Sequence, residues 1–196
     1  MGGDRLARVE AVIDEAVRVH QEVRRGDLSA VVETLNALES AFARGGKVLV
    51  FGNGGSAADA QHFAAELVGR LRTNRAARPA IALSTDTSVL TAIANDTGYE
   101  RVFARQVEAL GAAGDVAIGI STSGESPNIL AGLAVARARG LTTIALTGRD
   151  GGKARRAADI HVNVPHESAA RVQEVQRTLL HAICELIEDA IVEADG

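Results

Sequence analysis

The sequence predicts an α/β fold: a three-layer α-β-α sandwich around a five-stranded parallel sheet, preceded by a pair of helices. Three observations predict it. Five short apolar runs alternate with helical patterns from residue 47 onward, and such alternation implies right-handed crossovers and a parallel sheet. Several runs are almost continuously apolar, as in KVLVF, PAIAL and DVAIGI, which is how strands buried on both faces read. Hydrophobic residues make up 46% of the chain but aromatics only 3%. The core is therefore expected to consist of Ala, Val, Ile and Leu, side chains that suit close packing of helices on a sheet.

The elements follow in order. Asp4 is placed to cap a helix over 5–24. Asp27 is placed to cap a second helix, in which Leu28, Val31, Val32, Leu35, Leu38 and Phe42 recur at helical spacing, and which Gly45 and Gly46 end. Then come strand 47–51, helix 56–70, strand 79–83, a helical stretch 86–109, strand 115–120 and helix 126–139. Gly140 reads as a helix C-cap. Strand 141–146, a short helix near 151–157, strand 160–164 and a last helix 167–192 complete the chain. A length of 196 residues without a linker suggests one domain. Residues 1–45 would be its helical lead and 46–196 its α/β core.

Composition excludes several classes of function. With a net charge of −4, nothing suggests a nucleic-acid polyanion as the main partner. No apolar run reaches membrane-spanning length, and MGGDRLARVE has no signal-like h-region. The single cysteine, Cys184, excludes an intrachain disulfide and suits a reducing compartment. A cytoplasmic protein is expected.

Three loops rich in Gly, Ser or Thr each follow a strand and lead into a helix: FGNGGSAADA, ISTSGESPNI and LTGRDGGKAR. They fall where open α/β sheets bind ligands, beyond the carboxyl ends of the strands. In the first, Gly52-Asn53-Gly54-Gly55-Ser56 lets backbone approach a ligand and offers free N–H groups to an anion. It is not a Walker A loop. Gly52, Gly54 and Ala57 loosely match a dinucleotide fingerprint, with Asp86 available as a ribose-binding acid. The second loop, Ser121-Thr122-Ser123-Gly124-Glu125-Ser126, sets four hydroxyls in six residues. A dinucleotide fold needs no second cradle of this kind. Turn and capping chemistry also explains Gly and Ser, but two such loops at one sheet edge favour a phosphate monoester.

His62 and Glu66 are four apart on helix 56–70 and share a face. Such a pair is common on solvated helices; its place on the helix leaving the glycine loop gives it weight. The last helix offers Gln173, Glu174 and His181, the histidine within an apolar stretch where a core role is the ordinary expectation. Gln173 and His181 are eight residues apart, about 12 Å of helix rise. For both to serve one site, either they converge from different heights or neighbouring subunits share pockets. Cys184 reads as packing. His20, His161 and His166 stand in no motif. Asn95-Asp96 marks either an ordinary helix stop before Gly98 or a polar pair for sugar hydroxyls.

GNGGSAADAQHFAAE, LTAIANDTGYE, GDVAIGISTSGESPNI, ALTGRDGG and RVQE…LLH together resemble the sugar isomerase (SIS-domain) family. The resemblance runs in order over nearly the whole chain, and is nearest to the members that isomerise sedoheptulose 7-phosphate. It implies a flavodoxin-like SIS fold and conversion of that ketose phosphate to D-glycero-D-manno-heptose 7-phosphate, for ADP- or GDP-heptose synthesis. It implies Asn53, Gly54, Gly55 and Ser56 beside the substrate, Ser121, Thr122, Ser123 and Ser126 around the phosphate, and Asn95 and Asp96 on the sugar. His62, Glu66, Gln173 and His181 match the family's zinc ligands, and Glu66 and His181 also match its catalytic acid/base pair; Gln173 would touch substrate too. It further implies a homotetramer with active sites at subunit interfaces. QHFAA and LTAIAND also look like a non-catalytic tetrameric protein of this fold that binds the bacterial replication initiator. That protein lacks equivalents of Glu66 and His181, which this chain keeps.

Overall fold

The computed structural model describes residues 2–195. Two helices, α1 (Gly2–Arg25) and α2 (Ser29–Ala43), lead into β1 (Val48–Gly52), α3 (Gly55–Val68) and β2 (Ala80–Ala82). Helix α4 (Thr87–Thr97), a 3-10 turn at Tyr99–Arg101 and α5 (Val102–Leu110) precede β3 (Val116–Ser121). The chain continues through α6 (Pro127–Ala138), β4 (Thr142–Gly148), α7 (Ala154–Ala157), β5 (Ile160–Val164) and α8 (Ala169–Asp195). The five strands form one sheet in the order β2-β1-β3-β4-β5, every pair parallel. That is the flavodoxin-like order.

Alternation along β1 divides the core into two layers. Val48 and Val50 face Leu38 of α2, Phe63 and Leu67 of α3, and Leu180, Ile183 and Ile187 of α8. Leu49 and Phe51 face Phe103 and Val107 of α5 and Ile129 and Leu133 of α6. All of these side chains are buried. Helix α1 lies outside the sandwich, with Val19 packed on Val172 and Val175 of α8.

Several local expectations need correction. Asp4 lies inside the first turn of α1 and so does not cap it. Asp27 does not cap α2 directly: its carboxylate accepts from the Ser29 amide at 2.8 Å, an Asx turn one residue ahead of the N-cap position, Leu28. Leu28 and Val32 share the periodicity of Leu38 but stay exposed, because nothing among the described residues covers that side of α2. The stretch 86–109 is two helices, since Gly98 takes a φ of +94° and ends α4. Asp86 is spent as the α4 N-cap, accepting from the Val89 amide at 3.0 Å, which removes the dinucleotide acid.

At the amino edge of the sheet two aspartates staple strand starts together. Asp115 accepts from the Lys47 amide (2.9 Å), the Lys47 ammonium (2.6 Å) and the Ala112 amide (2.9 Å). Asp159 does the same with the Thr143 amide and hydroxyl, at 2.9 and 2.7 Å. Burial works to raise the Asp115 pKa, but the bonds and charge of Lys47 outweigh it and hold the carboxyl below the usual range. A depressed carboxyl stabilises the folded chain above its unfolded pKa, and that contribution disappears as pH falls through the folded value. Asp115→Asn should therefore cost about 1–3 kcal/mol at neutral pH. The difference from wild type should shrink as pH drops below about 4; thermal melts across that range check both.

Candidate active site

The strand order fixes the site. From β1 the chain builds outward to β2, then returns to set β3 on the opposite side of β1. Open α/β sheets bind ligands at such a switch point. The loops after β1 and β3 are therefore neighbours, although 69 residues separate Gly52 from Ser121.

Gly54 caps α3 at a φ of +55°, a conformation that side chains disfavour. The next residue, Gly55, lies against the Gln173 amide of α8: a Cβ there would come within 2.5 Å of Gln173 Nε2. Ser56 is buried beneath the turn. Asn53 is bonded reciprocally to Asn128 at the start of α6, amide to amide at 2.9 and 2.8 Å, and the Tyr99 hydroxyl donates to Asn53 at 3.3 Å. This amide pair joins the first loop to the helix that follows the second.

In the second loop the Ser121 hydroxyl lies 3.1 Å from that of Ser126 and 3.5 Å from that of Ser123. Ser126 is the N-cap of α6, but its hydroxyl makes no capping bond and meets the Ser121 hydroxyl instead. In the first turn Pro127 has no N–H, and the amides of Ile129 and Leu130 already donate to the Ser126 carbonyl, so the hydroxyls are the groups this loop presents. Thr122 and Ser123 are half-buried. The third loop is a buttress. The Ala154 amide donates to the Gly124 carbonyl at 2.9 Å, and Lys153 donates to Glu125 through its amide (2.9 Å) and its ammonium (2.6 Å).

Helices α3 and α8 run side by side in the same direction, their contacts rising together along both chains. Gly55 meets Gln173, Asp59 meets Arg177, and His62 meets His181. At this last level His62 Nε2 is 2.7 Å from His181 Nε2 and 3.4 Å from a Glu66 carboxylate oxygen. Each of the three residues offers one ligand atom, and all three atoms lie within 4.8 Å of one another. Two imidazole lone pairs at 2.7 Å repel unless a proton or a cation lies between them. Two imidazole nitrogens with a carboxylate oxygen, leaving one position open, is a donor set that suits catalytic zinc.

Past the triad, Arg75 closes the end of α3. It donates to the carbonyls of Glu66 (2.7 Å), Leu67 (2.7 Å) and Ala76 (3.0 Å). Its side chain is 1% exposed and stands 3.6 Å from Glu188 of α8, itself 1% exposed. Glu188 also accepts from the amides of Leu71, Arg72 and Thr73, at 2.7, 3.0 and 3.1 Å. Burial raises the Glu188 pKa, but these amides and Arg75 together leave it lowered, so the carboxylate is ionised.

Not every expected residue joins the group. Gln173 sits at the Gly55 level, about 12 Å of helix rise from His181. Asn95 and Asp96 are exposed at the end of α4, the Asn95 amide donating to Asp96 at 2.9 Å. Cys184 is fully buried, and burial pushes its thiol pKa up to about 12, in agreement with a packing role. The remaining histidines belong to the scaffold: His20 bridges the Ala16 carbonyl and Thr178, His161 meets Thr147, and the His166 ring accepts from the Ser168 amide. Sequence reasoning missed Asn128, Asp59, Arg177, Arg75 and Glu188. For Asp59 and Glu188 a signal existed, since each is an acid in phase with buried apolar residues, Phe63 and Cys184 respectively. Asn128 and Arg75 carry no local signal.

A family model described as the SIS domain matches residues 12–148. A phosphoheptose isomerase of Geobacter sp. (strain M21) is 52% identical over 180 residues, covering 90% of this chain and 94% of the relative. The phosphoheptose isomerase of Aquifex aeolicus (strain VF5) is 50% identical over 188 residues, 96% of this chain and 98% of the relative. Among solved structures, the phosphoheptose isomerase of Neisseria gonorrhoeae superposes with a TM-score of 0.89 at 46% identity, covering 94% of this chain and 98% of that one. A phosphoheptose isomerase from Francisella tularensis gives 0.91 at 34% identity, with the same coverage.

Proposed function

Because the chain belongs to the SIS-domain family and, within it, to the phosphoheptose isomerases, we propose that it isomerises D-sedoheptulose 7-phosphate to D-glycero-D-manno-heptose 7-phosphate. The observation that carries this is the convergence of His62, Glu66 and His181 on the helix pair that starts from the glycine loop. A scaffold that only bound another protein would have no chemical use for that convergence. The product would enter synthesis of nucleotide-activated heptose, in the cytoplasm.

Ketose-to-aldose isomerisation needs a base for a carbon-bound proton, an acid at the carbonyl oxygen and a grip on the remote phosphate. Ser121, Thr122, Ser123 and Ser126 hold the phosphate. Asn53, Gly54, Gly55 and Ser56 line the adjoining backbone, and Asn95 and Asp96 bind sugar hydroxyls where an interface brings them near. The Glu66 carboxylate takes a proton from C1 while His181 gives one to the C2 oxygen, and the enediol forms. Proton return to C2 and loss from the C1 oxygen complete the aldose. His62, Glu66 and His181 would hold a zinc ion, with Gln173 as a further ligand. When bound, zinc supplies Lewis-acid polarisation of the carbonyl.

A homotetramer accounts for two features that one chain leaves open. Leu6, Val9 and Ile13 form an apolar stripe on α1 and are 62%, 56% and 56% exposed. Gln173, two turns from its own chain's triad, reaches a triad only from a neighbouring subunit. Light scattering should give four times the chain mass; a monomer at working concentration would remove both explanations.

Glu66→Gln should lower turnover of sedoheptulose 7-phosphate by roughly 10²–10⁴-fold while calorimetry still detects binding of the sugar phosphate. Wild-type rates in that variant would refute the assignment of the base. Chelation should abolish activity and added zinc restore it; indifference to chelator would leave Glu66 and His181 working without a metal.

A further inference from the structure

We infer that two ion pairs across the α3–α8 seam, Asp59–Arg177 and Arg75–Glu188, set the separation of His62, Glu66 and His181 and are positioning residues for the isomerisation, given the roles proposed above for that triad. The pairs bracket it. Asp59 lies three residues before His62, and Arg177 four before His181, so the first pair sits one turn below the triad. Glu188 lies seven residues beyond His181, two turns up the same face of α8, and Arg75 binds the carbonyl of Glu66 itself. The triad is thus the middle rung between two charged rungs that tie the same two helices.

The first pair is directed by its own hydrogen bonds; in the second, Arg75 and Glu188 stand 3.6 Å apart and the direction comes from the backbone bonds each partner makes. Asp59 is 1% exposed, and one of its oxygens takes both Nε and a terminal nitrogen of Arg177. The Arg75 guanidinium spans the carbonyls of Glu66 and Leu67 in the last turn of α3; the Leu67 carbonyl also accepts from the Arg78 amide at 2.9 Å. Glu188 gathers three successive amides from the segment leaving α3. Apolar residues of similar size often stabilise a protein as well as buried ion pairs do. What apolar packing does not supply is a fixed distance and angle between two helices. Three ligand atoms within 4.8 Å of one another need both, because sites lose function when a supporting shell lets ligands drift by about half an ångström or more.

The test uses the full chain with Glu188→Gln and Arg75→Lys. Zinc affinity is measured by competition with a chromophoric chelator, kcat and KM on sedoheptulose 7-phosphate, and melting temperature by circular dichroism. Zinc affinity and kcat should each fall roughly 10–100-fold, with KM changed by no more than about twofold because the phosphate grip is untouched. Asp115→Asn, which loosens the staple between the starts of β1 and β3 and touches neither α3 nor α8, should lower the melting temperature and leave zinc affinity and kcat at wild-type values. Folded clamp variants with wild-type zinc affinity and kcat would overturn the inference, as would equal losses in Asp115→Asn. If the clamp variants do not fold, Arg177→Lys, whose side chain is half exposed, reads the other bracket in the same assays: a loss in zinc affinity and kcat supports the inference, and wild-type values overturn it. A wild-type chain that neither binds zinc nor turns over the sugar phosphate would overturn the functional proposal as well, whereas an active wild type with unaffected variants would overturn the brackets alone.

Discussion

The side-by-side packing of α3 and α8 on one face of the sheet is the constraint on which the rest of the molecule depends. The helices approach closely because α3 presents Ala60 and Ala64 between its larger anchors Phe63 and Leu67. Their directions match, so equal steps along both keep the same partners opposite each other. That parallelism turns His62, Glu66 and His181, spread over 120 residues of sequence, into neighbours. A tilt of one helix by a few degrees would open the group at one end while leaving the apolar contacts largely intact. Burial is non-directional and tolerates such a tilt; hydrogen-bonded charges do not. The charged rungs and the apolar seam therefore do different jobs in the same interface.

The sheet supplies the second constraint. Loops after β1 and β3 are adjacent only because the strand order reverses between them. The reciprocal amide pair of Asn53 and Asn128 then locks the two loops together, and the third loop supports the second from behind through Gly124 and Glu125. Loops held in place before a ligand arrives lose little entropy on binding one. The scaffold holds the loops from three sides and leaves the hydroxyls of Ser121 and Ser126 bonded only to each other and to their own loop.

Much of this was legible in the sequence. All five strands lie where the apolar runs place them, within one or two residues, because a strand buried on both faces leaves a run that no polar alternation interrupts. The glycine and serine loops and the His62–Glu66 pair are local patterns, and local patterns survive without a fold. The errors have physical causes. The break at Gly98 lies inside a stretch whose helical periodicity continues on both sides; the φ of +94° there bears out the helix-stop reading of Asn95-Asp96 before Gly98 over that of a single stretch 86–109. Leu28 and Val32 have the right phase for burial, yet phase says nothing about whether a covering surface belongs to the same chain. Asn128, Arg177 and Arg75 act across 75, 118 and 113 residues respectively, and no spacing rule reaches so far. Alternation of elements fixes the parallel sense of a sheet but not its permutation, so the strand order was available only through the family resemblance, whose flavodoxin-like order the sheet has.

Gln173 joins these threads. Sequence resemblance groups it with His62, Glu66 and His181, whereas the chain sets it beside Gly55, at the bottom of the same ladder. Both placements hold if the ladder continues past the edge of one subunit. The lower rung then serves a neighbour while the middle rung serves its own chain, and the rigid seam between α3 and α8 fixes the distance between the two. On that arrangement the charged brackets orient more than one site: a shift at Arg177, halfway between Gln173 and His181, would move a ligand group in each of two subunits at once. The exposed apolar stripe on α1 belongs to the same logic. Helix α1 lies on the outer side of α8, so whatever covers Leu6, Val9 and Ile13 is held at a set distance from the helix that carries Gln173. Assembly and catalysis would then share one element, α8, which packs the core with Leu180 and Ile183, carries one partner of each charged rung, and would offer His181 and Gln173 at heights that an assembled molecule uses together.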